Sequence, residues 1–357
     1  MIITIGGDIS VRDSRNLFEE CRGEELFGDV ISVFEASDRV IVNLECAVTD
    51  KDTPIEKIGP NLNAPLNTVK TLKSVGVTDC VLSNNHILDY GEAGVRDTLE
   101  QLEKHGINHT GLGENEQDAR KNLVITDGKI KIAVIAVCEH EYSYALSNKM
   151  GARAYDPYDT ADDIIEAKAN ADYVIVIYHG GKEECRYPSP RLLKACRSMI
   201  KRGADVVLCQ HSHCVGCYER FMDGHILYGQ GNFHFVCKSF ESKEDGGRMW
   251  NTGFLAKISF ENGVSVDFIP CVVDGYGIRL AREDEAKAEL DALYERSETL
   301  KNGKWYEHWR SFALAQGRYK VVPSDLYEEI AHFIDCEAHA DVCREIYQTR
   351  WRNEKNN

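Results

Sequence analysis

Asn84, Asn85, His86 and Asp89 fall within one short stretch, Ser83-Asn84-Asn85-His86-Ile87-Leu88-Asp89-Tyr90-Gly91. An amide oxygen, an imidazole and a carboxylate so close together suit a hard or borderline metal ion and the transfer of a proton. The same residue types make turns and helix caps, so the stretch alone leaves a plain polar loop open. Further candidates lie elsewhere: Asp8 after Gly6-Gly7, Asn43 and Glu45, His179 before Gly180-Gly181, and the H-x-H of His211 and His213. A carboxylate such as Glu45 can bridge two ions, histidines offer neutral nitrogens, and Asn85 offers a carbonyl oxygen. Two ions roughly 3.5–4 Å apart clamp a phosphate-like group and generate a hydroxide nucleophile at neutral pH. Singly, each histidine has a commoner use as a hydrogen-bonded ring below a sheet edge, and Asp8 as a turn residue. An extended H-x-H is sharper, because it points both imidazoles to one side.

The elements around these residues give them a common position. Ile2 to Ile5, Arg39 to Leu44, Val77 to Leu82, Tyr173 to Tyr178 and Asp205 to Leu208 are apolar runs that read as strands. Each ends at one of the polar clusters. In open α/β sheets the carboxyl ends of strands are where ligands bind, so the clusters are expected to converge. Pro65 to Val75, Glu92 to His105, Thr160 to Asn170 and Pro190 to Gly203 have helical spacing. Arg15 to Phe34 reads as an interrupted helix. Asp127-Gly128 marks a hairpin over Leu123 to Ile135, and Glu261-Asn262-Gly263 a second one over Phe254 to Ile269. After about Asp274 the strand pattern ceases. Ala281 to Leu300, Tyr306 to Gln316 and Asp325 to Trp351 read as helices.

Composition narrows the classes. The 357 residues carry 42 Lys and Arg against 58 Asp and Glu, a net charge of −16. That balance argues against nucleic acid or an anionic membrane as the main partner. The first residues, Met1 to Asp8, lack the basic and apolar regions of a signal peptide. No apolar run reaches the roughly 18–20 residues of a membrane span. The 13 cysteines then read as reduced thiols of a cytoplasmic protein. Cys209, His211, His213, Cys214 and Cys217 crowd together, and Cys214-Val215-Gly216-Cys217 is a C-x-x-C, which a structural zinc or a redox pair could use. A second knuckle is missing, which favours buried free thiols.

The order and spacing of several motifs resemble the capsule-synthesis CapA family, the poly-γ-glutamate biosynthesis proteins within the metallophosphatase superfamily. The resemblance runs from Ile3 to about Phe235. It rests on Gly7-Asp8, Val42-Asn43-Leu44-Glu45, Ser83 to Gly91, Gly106-Ile107 leading to Gly111-Leu112-Gly113, His179-Gly180-Gly181, Tyr187-Pro188-Ser189-Pro190, Gly203-Ala204-Asp205 leading to His211-Ser212-His213, and Tyr228-Gly229-Gln230-Gly231-Asn232-Phe233. It implies a four-layer αββα sandwich of the calcineurin-like metallophosphoesterase type, with metals at the strand ends. On that pattern Asp8, Glu45 and His213 hold one ion. Glu45, Asn85, His179 and His211 hold the other, and His86 acts as a proton donor or steadies the phosphoryl charge. The chain departs from the wider superfamily at Ser10, where a histidine is usual, at Gln210, where many relatives have another histidine, and at Cys214, where an aliphatic residue is usual.

The expectation is an α/β domain over residues 1–274 with a helical segment, 275–357, packed on it. The function expected is metal-dependent hydrolysis of a phosphoester or related bond by a hydroxide generated at the metal, in capsule or poly-γ-glutamate metabolism. His86 is the catalytic candidate. Asp8, Glu45, Asn85, His179, His211 and His213 are the metal candidates, for one or two Mn, Fe or Zn ions. Asn43, Asn84 and Asn232 are the candidate substrate-binding residues. The partner expected is a phosphorylated or polyanionic small molecule or polymer, with neither nucleic acid nor a membrane span. The alternative is a polymer- or partner-binding protein with a degenerate metal site.

Overall fold

The computed structural model describes residues 1–315, apart from 58, 140, 141, 243, 244 and 246, together with 326 and 330. Met1–Trp309 forms one compact unit and Arg310–Asn357 another.

Two mixed sheets build the first unit. One has eight strands, in the order Gly277–Leu280, Ser265–Asp274, Thr252–Ser259, Ile2–Ser10, Arg39–Leu44, Asp79–Val81 and Asn108–Thr110, with Asn232–Phe235 also paired to Ile2–Ser10. The other has six, in the order Tyr218–Phe221, Gly224–Leu227, Val206–Gln210, Tyr173–His179, Lys131–Cys138 and Leu123–Thr126. The strands that end at the polar clusters run parallel to one another within each sheet, while Ile2–Ser10 is antiparallel to Thr252–Ser259 on its other side.

Strand periodicity sets the layers. Ile3, Ile5, Ile41 and Val81 of the first sheet meet Val134, Ile175, Ile177 and Leu208 of the second in one buried cluster. The alternate residues Val174, Val176 and Tyr178 turn the other way, onto Ile164 of helix Pro157–Asn170 and Leu192, Cys196 and Met199 of helix Pro190–Arg202. On the outer face of the first sheet, Val40, Val42 and Leu44 pack with Phe18, Phe27, Leu72, Val95 and Leu102 from its helices. The result is the expected αββα order. Local chemistry fixes the helix ends: the Ser189 hydroxyl accepts from the Leu192 N–H ahead of Pro190, and Gly203 closes that helix at φ 118°.

Several elements differ from the sequence reading. Arg15 to Phe34 is three short helices, Arg15–Glu19, Gly23–Phe27 and Ile31–Glu35. The strand pattern continues past Asp274, because the chain reverses at Gly275-Tyr276 and Gly277–Leu280 pairs antiparallel with Ser265–Asp274. Four residues are too few for alternation to be visible in sequence. Helices Glu283–Asn302 and Trp305–Ala315 follow, and the former packs on Tyr218–Phe221 and Ser265–Asp274. The expected helix Asp325 to Trp351 lies outside the described residues. Among the described residues no helix is long and apolar enough to cross a membrane.

Candidate metal centre

The polar clusters meet where the parallel strands end. Asp8 pairs opposite Asn43, and Glu45 follows strand Arg39–Leu44, its N–H bonded to the Ile9 carbonyl at 2.9 Å. In the other sheet His179 pairs opposite Gln210, and His211 is the next residue. Asp8 and Glu45 are fully buried, and His179, His211 and His213 nearly so.

Two sets of ligand atoms share Glu45. Atoms of Glu45, His179 and His211 lie within 4.8 Å of one another, and so do atoms of Asp8, Glu45 and His213. His179 Nε2 is 2.9 Å from Asn85 Oδ1 and 3.3 Å from Glu45 Oε1. Donors held at about 2.1 Å around an ion, at right angles, stand roughly 3 Å apart. The Glu45 carboxylate is the telling group: neither of its oxygens has a hydrogen-bond partner. Burying an ionised carboxylate without a donor is expensive unless a cation compensates it. The donor set of carboxylate, imidazole and amide oxygen therefore fits a divalent metal ion.

Backbone strain and neighbouring groups hold the site. His211 has φ 78° and His213 φ 52°, both in the left-handed region. The pair is therefore not an extended H-x-H as the sequence reading assumed. A tight bend past strand Val206–Gln210 aims the rings, with centroids 5.9 Å apart. Such conformations cost about 1–3 kcal/mol each and persist where surroundings over-determine them. Asp8 supplies part of that: Oδ2 accepts from the His211 N–H at 2.9 Å, and Oδ1 accepts from Asn43 Nδ2 at 2.7 Å. Burial pushes the Asp8 carboxyl up, but the hydrogen bond and charge of His179 outweigh it and hold it well below the carboxylate range. Burial works against a charge on His179, yet Glu45 and then Asp8 push its ring up to about 10. His211 is held well below its ordinary value by burial and then by His179 and His213. A neutral ring is the form that binds metal.

His86 stands beside this cluster with its own support. Its Nδ1 is 2.6 Å from Asp89 Oδ2, and its N–H donates to Asn84 Oδ1 at 3.1 Å. Lys57, 3% exposed at its side chain, pairs with Asp89 Oδ1 and lies 3.2 Å from His86 Nδ1. Asp89 Oδ2 also accepts from the Leu62 N–H at 2.6 Å. The sequence reading missed Lys57, because it sits in a stretch without periodicity. Trp250 was missed too: its ring lies 4.5 Å from that of His213.

The three substrate-binding candidates have other occupations. Asn43 Oδ1 accepts from Asn84 Nδ2 at 3.0 Å, and Asn84 Nδ2 also donates to the Leu44 carbonyl at 2.9 Å. Asn232 Oδ1 is 2.8 Å from His213 Nδ1, while its Nδ2 donates to the Trp250 carbonyl at 2.9 Å. These buried amides are hydrogen-bonded to one another, to Asp8 and to His213 within the ligand set. Ser10 is buried on the same strand as Asp8. Gln210 donates to the Gly6 carbonyl and Gln230 Oε1, both at 3.1 Å. Cys214 and Cys217 are buried, with thiols pushed up by burial to about 11 and about 12. No cysteine joins a possible metal-ligand group among the described residues.

The chain is similar to several known proteins. The family model for the bacterial capsule synthesis protein PGA_cap matches residues 2–236. Capsule biosynthesis protein CapA of Bacillus anthracis is 29% identical over 245 residues, covering 66% of this chain and 60% of that protein. PGA biosynthesis protein CapA of Bacillus subtilis (strain 168) is 31% identical over 234 residues, covering 64% and 62%. The chain thus spans about three fifths of the length of these relatives. Among solved structures, a hypothetical protein from Thermus thermophilus overlays with a TM-score of 0.47 at 16% identity, over 78% of this chain and 99% of that one.

Proposed function

This chain belongs to the bacterial capsule synthesis protein PGA_cap family, and from that premise we propose that it is a metal-dependent hydrolase of a phosphoester or related bond, working in capsule or poly-γ-glutamate metabolism. The observation that carries the reading is the buried Glu45 carboxylate, shared by two ligand sets and without a hydrogen-bond donor on either oxygen. The names of the Bacillus relatives support the biological setting.

Asp8, Glu45 and His213 would hold one ion, and Glu45, Asn85, His179 and His211 the other. Divalent ions held there supply Lewis acidity and, from water, a strong nucleophile near neutral pH. Asp8 fixes the His211 backbone, and Asn43 fixes Asp8. Asn232 fixes the His213 ring through Nδ1. Asp89 holds His86 Nδ1, so Nε2 is the atom that gives a proton to the leaving oxygen. Lys57 balances the Asp89 charge and holds the loop through the Asn85 carbonyl at 3.4 Å.

A binding protein without turnover is the second reading. Ser10 favours it, since a neutral hydroxyl stands where a stronger ligand would complete the Asp8–His213 set. Metal content and hydrolysis of a generic phosphodiester, measured together on two variants, separate the readings. Glu45→Ala is expected to lose metal and turnover together. His86→Ala is expected to keep its metal and fold but lose about 10²–10⁴-fold in rate. Full activity in metal-loaded His86→Ala protein would remove His86 from the mechanism, and absence of turnover in metal-loaded unmodified protein would favour the second reading.

A further inference from the structure

Arg186 and Arg296 lie beside each other in a chain whose acidic residues outnumber its basic ones, 58 to 42. Most neighbouring arginines are paired. Arg197 holds Glu219, Arg191 holds Glu139 and Arg248 holds Glu289. Arg186 and Arg296 make no ion pair with a carboxylate among the described residues. Arg186 donates from Nη1 to the Val215 carbonyl at 3.3 Å, and Arg296 from Nε to the Gly216 carbonyl at 3.3 Å. Arg296 Nη2 is buried and has no partner. Asp245 feels the charge of Arg186, but its carboxylate accepts from the N–H groups of Gly247 and Met249 at 2.9 Å. Burial first, and then the charge of Arg186, push the Arg296 guanidinium below its ordinary range. Two like charges held together without a carboxylate in ion-pair contact are unfavourable, and a ligand of opposite charge relieves them.

The pair is tied to the metal cluster by its anchors. Val215 and Gly216 lie two and three residues after His213 in the same loop, within roughly 10 Å of chain. The segment that carries Arg186 runs along that loop, with the Glu184 N–H donating to the Ser212 carbonyl at 2.8 Å. Arg296 comes from helix Glu283–Asn302, outside the residues 2–236 matched by the family model.

We propose that Arg186 and Arg296 form an oxyanion subsite beside the ligand loop, which takes a phosphate or carboxylate group of the substrate while its reacting bond lies at the metal cluster. Guanidinium groups match such oxyanions through paired N–H donors and stay charged. The role as a substrate subsite rests on the hydrolytic reading, whereas anion binding itself does not.

The test is calorimetric titration of the metal-loaded full chain with inorganic phosphate and, separately, with glutarate at matched ionic strength. Arg186→Gln and Arg296→Gln are each expected to weaken binding of at least one anion about tenfold or more, with metal content unchanged. Dependence for phosphate alone identifies a phosphate subsite, and for glutarate alone a carboxylate subsite. Arg186→Lys and Arg296→Lys keep the charge and should bind with intermediate affinity, which covers the case in which a Gln variant melts early. Turnover of a generic phosphodiester by the unmodified metal-loaded protein is measured alongside, so failure of the hydrolytic reading (no turnover) and failure of the subsite (no arginine-dependent anion binding) are read separately. Equal affinity of every arginine variant for both anions, or no binding by the unmodified protein, would overturn the proposal and leave the pair as braces for the loop.

Discussion

His179 Nε2 stands 3.3 Å from Glu45 Oε1 and 2.9 Å from Asn85 Oδ1, so one nitrogen and two oxygens close on a single point. Glu45 has no hydrogen-bond donor there. Glu45→Gln keeps the volume and removes the charge. Metal content is expected to fall in both ligand sets, and the metal-free protein is expected to be less stable than before, because His179 loses the carboxylate it pairs with. Elemental analysis and metal-free melting curves check this. Unchanged metal content in Glu45→Gln would remove Glu45 from the ligand set.

Lys57 and Asp89 form a pair buried to 3% and 0% exposure of their side chains. Lys57→Met leaves the Asp89 carboxylate without its cation, for which about 3–5 kcal/mol of stability is the expected loss. His86 then loses a neighbour that holds its loop, so turnover should fall beyond the loss of folded protein. Denaturant unfolding and rate per folded molecule measure the two effects. A Lys57→Met protein of unmodified stability would show the pair to be superficial.

The strands and their polar ends were legible because buried parallel strands write long apolar runs, and each run stops at a ligand-type residue. Asp8, Glu45, Asn85, His179, His211 and His213 come together in space as their strand-end positions suggested. The left-handed turns of His211 and His213 were not legible, since a histidine in that conformation leaves no local signal as glycine would. Lys57 was hidden for another reason: its partner Asp89 lies 32 residues on, and a loop carries no period. The burial of Asn43, Asn84 and Asn232 was not legible either, because sequence cannot tell a buried amide from an exposed one.

His234 is fully buried against Phe18 and Phe27, at 5.1 and 5.4 Å between ring centroids. Burial pushes it down to about 4, from an ordinary value of 6.5. The unfolded chain therefore binds more protons between those values, and stability present above pH 6.5 is lost as pH falls towards 4. The expected loss from pH 7 to pH 5 is about 2 kcal/mol from this residue. His234→Phe should flatten that part of the stability profile. An equally steep profile in the variant would assign the acid sensitivity elsewhere.

On the proposed reading, a hydroxyl at Ser10 leaves the Asp8–His213 ligand set one strong donor short. Two-step binding is expected in a Mn²⁺ titration, with the weaker step belonging to that set, and Ser10→His is expected to strengthen the weaker step. Two equally tight sites in the unmodified protein would contradict this.

The most direct measurement is anomalous scattering at the manganese edge from crystals of the Mn²⁺-loaded protein. The expected result is a peak at roughly 2.0–2.2 Å from a Glu45 oxygen and from His179 and His211 nitrogens, with a second, weaker peak shared with Asp8 and His213. Mn²⁺-saturated crystals with no peak within bonding distance of Glu45 would contradict the account.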